Sequence, residues 1–199
     1  MAFAQLTVTN DSYIFVDGNG FTAAPVVAPL YVANDVNLTG ADSKIYLRNE
    51  AQLIQDFGAA TSTNSGTGQL SVYQTGTVNQ WSYNYWCSPV GNNSAATGNE
   101  NARVNLIDDA TGLISSTDAA FTTGFDGSAS PLTISDRWLW TYQTADQYID
   151  WVYVGATGNI SPGLGFTMKG NGTGATGSQV YDFRGKPNNG TITNDVANG

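Results

Sequence analysis

The chain contains no histidine, and only one of its 199 residues is a cysteine. The first absence removes Ser-His-Asp and Cys-His nucleophile systems and most zinc sites, all of which use imidazole as base or ligand. The second removes any internal disulfide framework. With no imidazole to take its proton, Cys87 is expected to be a small buried apolar side chain rather than a nucleophile. Positive charge is also scarce: 7 Lys and Arg stand against 16 Asp and Glu, a net charge of −9. The cations are scattered singly, so no basic stripe exists to neutralise phosphates, and nucleic acid is not an expected partner. No run approaches the roughly 20 apolar residues of a membrane span, so membrane insertion is not expected. A Gly-rich phosphate loop is missing too, because Gly163-Leu164-Gly165 lacks the third glycine and the following helix of a dinucleotide fingerprint.

Against these absences, 41% of the chain is hydrophobic and 12% aromatic, while 12% is charged. That is too much apolar material for a disordered segment. Solubility must come from Asn, Thr, Ser, Gln and Gly, a composition common in extracellular β proteins. The length allows one sizeable core or two small modules.

No stretch keeps a 3.6-residue period. Leu6 to Val78 reads instead as short β-like runs, such as Tyr13-Ile14-Phe15-Val16, Lys44-Ile45-Tyr46-Leu47 and Gln69-Leu70-Ser71-Val72-Tyr73. They are divided by turns such as Asn10-Asp11 and Gly40-Ala41-Asp42. Glu50 to Phe57 fits a helix or a strand equally well. Brief Val/Leu/Ile runs with Asn and Asp at the corners fit coils of a short right-handed β-solenoid; a run of sandwich strands remains open.

The densest apolar stretch is Trp81-Ser82-Tyr83-Asn84-Tyr85-Trp86-Cys87-Ser88. In an extended strand Trp81, Tyr83, Tyr85 and Cys87 share one face, with Asn84 and Trp86 on the other. At about 150–250 Å² per aromatic, this stretch is expected to be a buried central strand. Later, Trp138-Leu139-Trp140-Thr141-Tyr142 and Tyr148-Ile149-Asp150-Trp151-Val152-Tyr153-Val154 flank a hairpin-length connection.

The expected fold is therefore all-β: solenoid-like or sandwich strands over residues 6–80, then an antiparallel β-sandwich over 81–199, truncated C-terminally. Residues 1–5, with Ala2-Phe3-Ala4 before Gln5, match the end of a signal-peptide cleavage site.

Four blocks in order carry a resemblance. They are Ile45-Tyr46-Leu47-Arg48-Asn49-Glu50-Ala51-Gln52-Leu53-Ile54-Gln55, Asn84-Tyr85-Trp86-Cys87-Ser88-Pro89-Val90-Gly91, Pro162-Gly163-Leu164-Gly165-Phe166-Thr167-Met168-Lys169-Gly170 and Tyr181-Asp182-Phe183-Arg184-Gly185-Lys186-Pro187-Asn188-Asn189-Gly190. Together they resemble a conserved region of large secreted surface proteins exported by the type IX secretion route. The resemblance implies an extracellular or cell-surface habitat and an adhesin-like or structural role. It also implies that further β modules and a sorting domain belong to the longer protein. It supplies no catalytic residues.

For chemistry, the candidates are few. Paired carboxylates would serve glycoside hydrolysis, and Asp146 with Asp150, Asp108 with Asp109, and Asp136 or Asp182 are available; all also fit as turn formers and solvated charges. Asp17 and Asn19, two apart with Gly18 between them and Gly20 after, are candidate calcium ligands, although the same residues make common hairpin turns; Asp126-Gly127 is a weaker match. Aromatic faces stack on sugar C–H surfaces, so Trp86, Trp138, Trp140, Trp151 and Tyr153 are candidate ligand-binding residues, with core packing as the plain alternative. The expected function is non-catalytic surface adhesion with glycan or other surface proteins as partners. The rivals are a carbohydrate-active enzyme and a structural subunit or spacer that self-associates through edge strands.

Overall fold

A computed structural model describes residues 5–18, 28–55, 63–93, 98–143, 147–171 and 178–195. The fold is all-β, with about half the chain in strands and no helix beyond three-residue 3-10 turns among the described residues. Two compact units emerge. One comprises Met1–Tyr73, Pro89–Glu100 and Phe183–Ile192; the other comprises Gln74–Ser88, Asn101–Asp182 and Thr193–Gly199.

The first unit is built from parallel ladders. Its strands are β1 (Leu6–Val8), β2 (Tyr13–Asp17), β3 (Ala28–Val32), β4 (Val36–Leu38), β5 (Lys44–Arg48), β6 (Ala51–Gln55), β7 (Ser65–Gly66) and β8 (Gln69–Gly76), the last reaching past the unit boundary. β1, β4 and β7 stack in parallel, as do β2, β5 and β8, and β3 with β6. Strands that recur in the same order and pair in parallel with their counterparts one coil later make a β-solenoid, so the sandwich alternative for this half fails. The undecided segment after Glu50 is strand β6.

Sequence explains the stacking. Ile14, Ile45 and Leu70 occupy matching rungs, and so do Val16, Leu47 and Val72. Ile45, Leu47, Leu70 and Val72 are buried. Each such side chain contributes about 1.5–3 kcal/mol when removed from water. At one corner Gly66 has φ +90° and a Cβ there would lie 1.8 Å from the Leu38 carbonyl oxygen, so no other residue fits.

Two buried polar residues tie the coils together. Arg48 donates to the carbonyls of Leu47 (2.9 Å) and Ser71 (3.0 Å) and to Ser71 Oγ (2.9 Å), with its guanidinium 3.5 Å from the Tyr73 ring centroid. Asn64 is fully buried. Its Oδ1 accepts from Val36 N (2.8 Å) and Gln55 Nε2 (2.9 Å), and its Nδ2 donates to Gln55 Oε1 (3.0 Å) and the Pro187 carbonyl (3.0 Å). One carboxamide thereby joins three segments of the unit.

The second unit is mainly antiparallel. β9 (Tyr83–Cys87) belongs to it, whereas β10 (Val90–Gly91) lies in the first unit. β11 (Ile107–Ala110) and β12 (Ser116–Asp118) form a hairpin. β13 (Ala120–Thr122), β14 (Ser128–Ala129) and β15 (Leu132–Ser135) form a small mixed sheet. β16 (Trp140–Tyr142), β17 (Trp151–Tyr153) and β18 (Gly165–Lys169) join β9 in a four-stranded antiparallel sheet ordered β17-β16-β18-β9. Finally β19 (Gln179–Pro187) crosses the boundary between the units after Asp182. One face of the four-stranded sheet carries Thr141, Phe166 and Met168, all buried, and Leu132, Ile134 and Leu139 are buried in the same unit.

The aromatic strand departs from expectation. β9 is an edge strand, not a central one. Its core-facing residues are Asn84 and Trp86, while Tyr85 and Trp81 are each 76% exposed and Cys87 is exposed. The physical reason is the partner strand: Phe166 and Met168 of β18 take the core, so the residues in register with Gly165, Thr167 and Lys169 turn outward.

Replacing Asn64 by Ala leaves the Val36 amide, the Pro187 carbonyl and the Gln55 amide group short of partners. Urea unfolding of Asn64→Ala is expected to show a loss of about 2–4 kcal/mol, and Asn64→Asp, which cannot donate, should lose nearly as much.

Candidate aromatic recognition face

Strand alternation places Tyr83, Tyr85 and Cys87 of β9, Gly165, Thr167 and Lys169 of β18, Trp140 and Tyr142 of β16, and Trp151 and Tyr153 of β17 on one side of the sheet. Trp138, at the end of the 3-10 turn Asp136–Trp138, joins them, its ring 6.1 Å from that of Tyr83 at 77°. Four of the five candidate residues, Trp138, Trp140, Trp151 and Tyr153, therefore meet on this face. Trp86 does not: it lies on the opposite face, edge-on to the Tyr181 ring at 5.9 Å.

The rings are held by their neighbours. Trp140 packs against Tyr153 at 5.2 Å and Tyr142 against Trp151 at 4.8 Å. Trp138 Nε1 donates to the Phe125 carbonyl (2.8 Å) and Trp140 Nε1 to the Arg137 carbonyl (2.9 Å). With their N–H groups used internally, these indoles offer a ligand their π faces and edges rather than a hydrogen bond. Trp81 stands on a turn in which its own amide donates to Asn79 Oδ1 (2.9 Å), which lifts the indole out of the strand into solvent.

The charged groups on this face are paired or stacked. Lys169 Nζ lies 5.3 Å from the Trp138 ring centroid and 5.8 Å from that of Trp81, donates to the Phe125 carbonyl (3.0 Å), and forms an ion pair with Asp126. Arg137 lies over the exposed Phe125 ring at 4.5 Å. Burial raises the pKa of the Tyr83 hydroxyl, with the phenols of Tyr85 and Tyr148 adding to the rise.

Of the remaining candidates, those within the described residues are engaged structurally. Asp150 accepts from the Gln147 amide (3.0 Å) in a capping box. Asp109 accepts from Leu132 N (2.9 Å), Asp108 stands opposite Asp118 in the β11–β12 ladder, and buried Asp182 accepts from Ser116 Oγ. Asp136 begins a 3-10 turn closed by its carbonyl and Leu139 N. Asp126 belongs to the Lys169 pair. Asp146 and Asn19 lie outside the described residues, while Asp17 accepts from Asn49 Nδ2. Among the described residues no three His, Cys, Asp or Glu side chains cluster as a metal site would need.

Trp81, Tyr83, Tyr85, Tyr142 and Phe125 were not among the residues singled out for binding. The alternation within 81–87 was readable; which face was outward depended on β18.

Comparisons with protein-family models, curated proteins and solved structures found no match to this chain.

Behind the face, Tyr181 is fully buried and its hydroxyl has no hydrogen-bond partner among the described residues. Burial raises its pKa well above the ordinary 10.0. Because the folded value exceeds the unfolded one, this group lowers stability as pH climbs past 10. Tyr181→Phe is expected to change stability at neutral pH by no more than about 1 kcal/mol. In thermal melts it should lose less stability than the parent protein between neutral pH and pH values above 10.

Proposed function

We propose that this chain is a non-catalytic extracellular or cell-surface module, adhesive or structural in role, that binds glycans through the aromatic face of its four-stranded sheet. The observation that carries this reading is the concentration of Tyr and Trp on one outward sheet face, with the indole N–H groups of Trp138 and Trp140 satisfied from within. Large apolar patches left on a protein surface commonly mark sites of interaction, and Tyr and Trp are the side chains best suited to stack on the C–H face of a pyranose. The acidic, Asn-, Thr- and Gly-rich composition and the resemblance to surface proteins of the type IX route support a location outside the cell. β9 and β17 are the edge strands of the sheet, which favours a second reading: a spacer that self-associates by edge pairing.

A glycan-array screen of the protein, with and without calcium, and with reducing-sugar release measured on any bound glycan, tests the proposal. Binding without release is expected; silence across a broad array overturns it. Loss of binding with a chelator would draw attention to Asp17. The double variant Trp81→Ala/Tyr85→Ala removes two exposed rings. It should keep its stability to within about 0.5 kcal/mol per site while binding weakens about tenfold or more.

A further inference from the structure

Among the described residues, β2 pairs with β5 on one side and with no strand on the other. Burial records the difference rung by rung. Ile14 and Val16 are half-buried, whereas Ile45 and Leu47, in register with them on β5, are fully buried. Leu6 of β1 is likewise half-buried while Val36, its partner on β4, is fully buried. On the other face of β2, Tyr13 and Phe15 are exposed, and the Tyr13 ring stands edge-on to that of Tyr46 at 5.7 Å. The Ser12 carbonyl accepts from Lys44 N (3.2 Å) and Gly18 N donates to the Arg48 carbonyl (3.0 Å), so the even-numbered residues turn their backbone groups towards β5. Alternation then aims the N–H and C=O of Tyr13 and Phe15 away from the sheet. The strand carries none of the features that blunt an edge: no proline, no lysine, and no bulge in its unbroken register with β5.

We propose that this edge pairs with the same edge of a second copy of the chain, antiparallel about a two-fold axis at Phe15. The inference deepens the self-association reading above, moves it from the four-stranded sheet to the solenoid, and stands apart from glycan binding. The sequence of β2 selects a second copy because it complements itself. Centred on Phe15, the pairing sets Phe15 opposite Phe15 of the second copy, where the outward N–H and C=O of each meet those of the other. It sets Ile14 opposite Val16 of the second copy, so each half-buried side chain gains the cover that β2 lacks. It sets Tyr13 opposite Asp17, whose carboxylate has acceptor sites for a phenol beyond the Asn49 amide. A slip of one residue would turn core side chains against exposed ones. Residues 5–43 contain Asp but no Lys or Arg. Even so, this register holds the two Asp17 carboxylates about 14 Å apart, four residues along the strand, which exceeds the screening length of about 8 Å in physiological salt.

Sedimentation of the full chain under reducing conditions, between about 1 µM and 1 mM, is expected to show a reversible monomer–dimer equilibrium. Phe15→Lys sets two ammonium groups directly opposite each other and removes a ring contact, so it should weaken the dimer about tenfold or more. Tyr13→Lys instead sets a lysine opposite Asp17 of the second copy and should tighten the dimer by up to about fivefold. Both positions are exposed, so both variants should melt close to the parent protein. Disulfide trapping reads the register directly. Because Cys87 is itself exposed, the trapping variants carry Cys87→Ser. Phe15→Cys in that background brings two thiols across a hydrogen-bonded pair with Cα atoms about 5.5 Å apart, within the span of a disulfide. Tyr13→Cys leaves its two thiols about 14 Å apart. Oxidised glutathione should cross-link the first variant and not the second.

A monomer at every concentration overturns the proposal together with the self-association reading. A dimer that Phe15→Lys leaves intact, with no cross-link in Phe15→Cys, overturns β2 as the interface and leaves self-association to another edge, such as β9. Cross-linking of Tyr13→Cys in preference to Phe15→Cys overturns the two-fold axis at Phe15.

Discussion

The antiparallel unit depends on the side-chain alternation of one strand. Phe166 and Met168 of β18 are buried almost completely, and moving either into water would cost about 1.5–3 kcal/mol. A one-residue slip would exchange the two faces of the strand at once, so the core pins the register. Once it is pinned, Gly165, Thr167 and Lys169 must lie on the opposite face, where Thr167 is buried beneath its neighbours, and so must every residue paired with them. Tyr83, Tyr85, Trp140 and, through β16, Tyr153 face solvent because their partners are constrained, not because they are polar. The aromatic face is the geometric complement of the core.

The solenoid unit solves a different problem. Its strands are short, and no single coil can bury its apolar side chains by itself; each rung must be covered by the rung of the next coil. Rows such as Ile14, Ile45 and Leu70 supply that cover. Parallel stacking still leaves polar groups at the corners, and these are satisfied by a few committed side chains. Asn64 bonds backbone groups from separate segments, and Arg48 combines carbonyl contacts with a ring face. In a chain with 12% charged residues, such buried polar residues do what ion pairs do in more highly charged proteins.

Exposed aromatic surface is unfavourable unless something compensates for it. Here the rings pack on one another edge to face, the N–H groups of Trp138 and Trp140 are bonded to carbonyls, and a lysine ammonium lies against two indoles. These contacts hold the rings in place before any ligand arrives. A face arranged in advance loses little entropy on binding, which is the property a recognition surface needs.

Much of this was legible in the chain itself. The absence of a 3.6-residue period and the recurrence of short Val-, Leu- and Ile-rich runs determined an all-β fold, and the brevity of the runs before Gln80 leaned towards a solenoid. The missing histidine and the scattered cations set aside whole classes of chemistry. Alternation in 81–87 sorted its residues into two faces, because the period of a strand is local and depends on the backbone alone. What only the tertiary structure decided was which face is inside. Aromatic content argued for burying Trp81, Tyr85 and Cys87, and the fold exposes them. A side chain's burial is set by what the neighbouring strand presents, and β9's partner lies about 80 residues further along the chain.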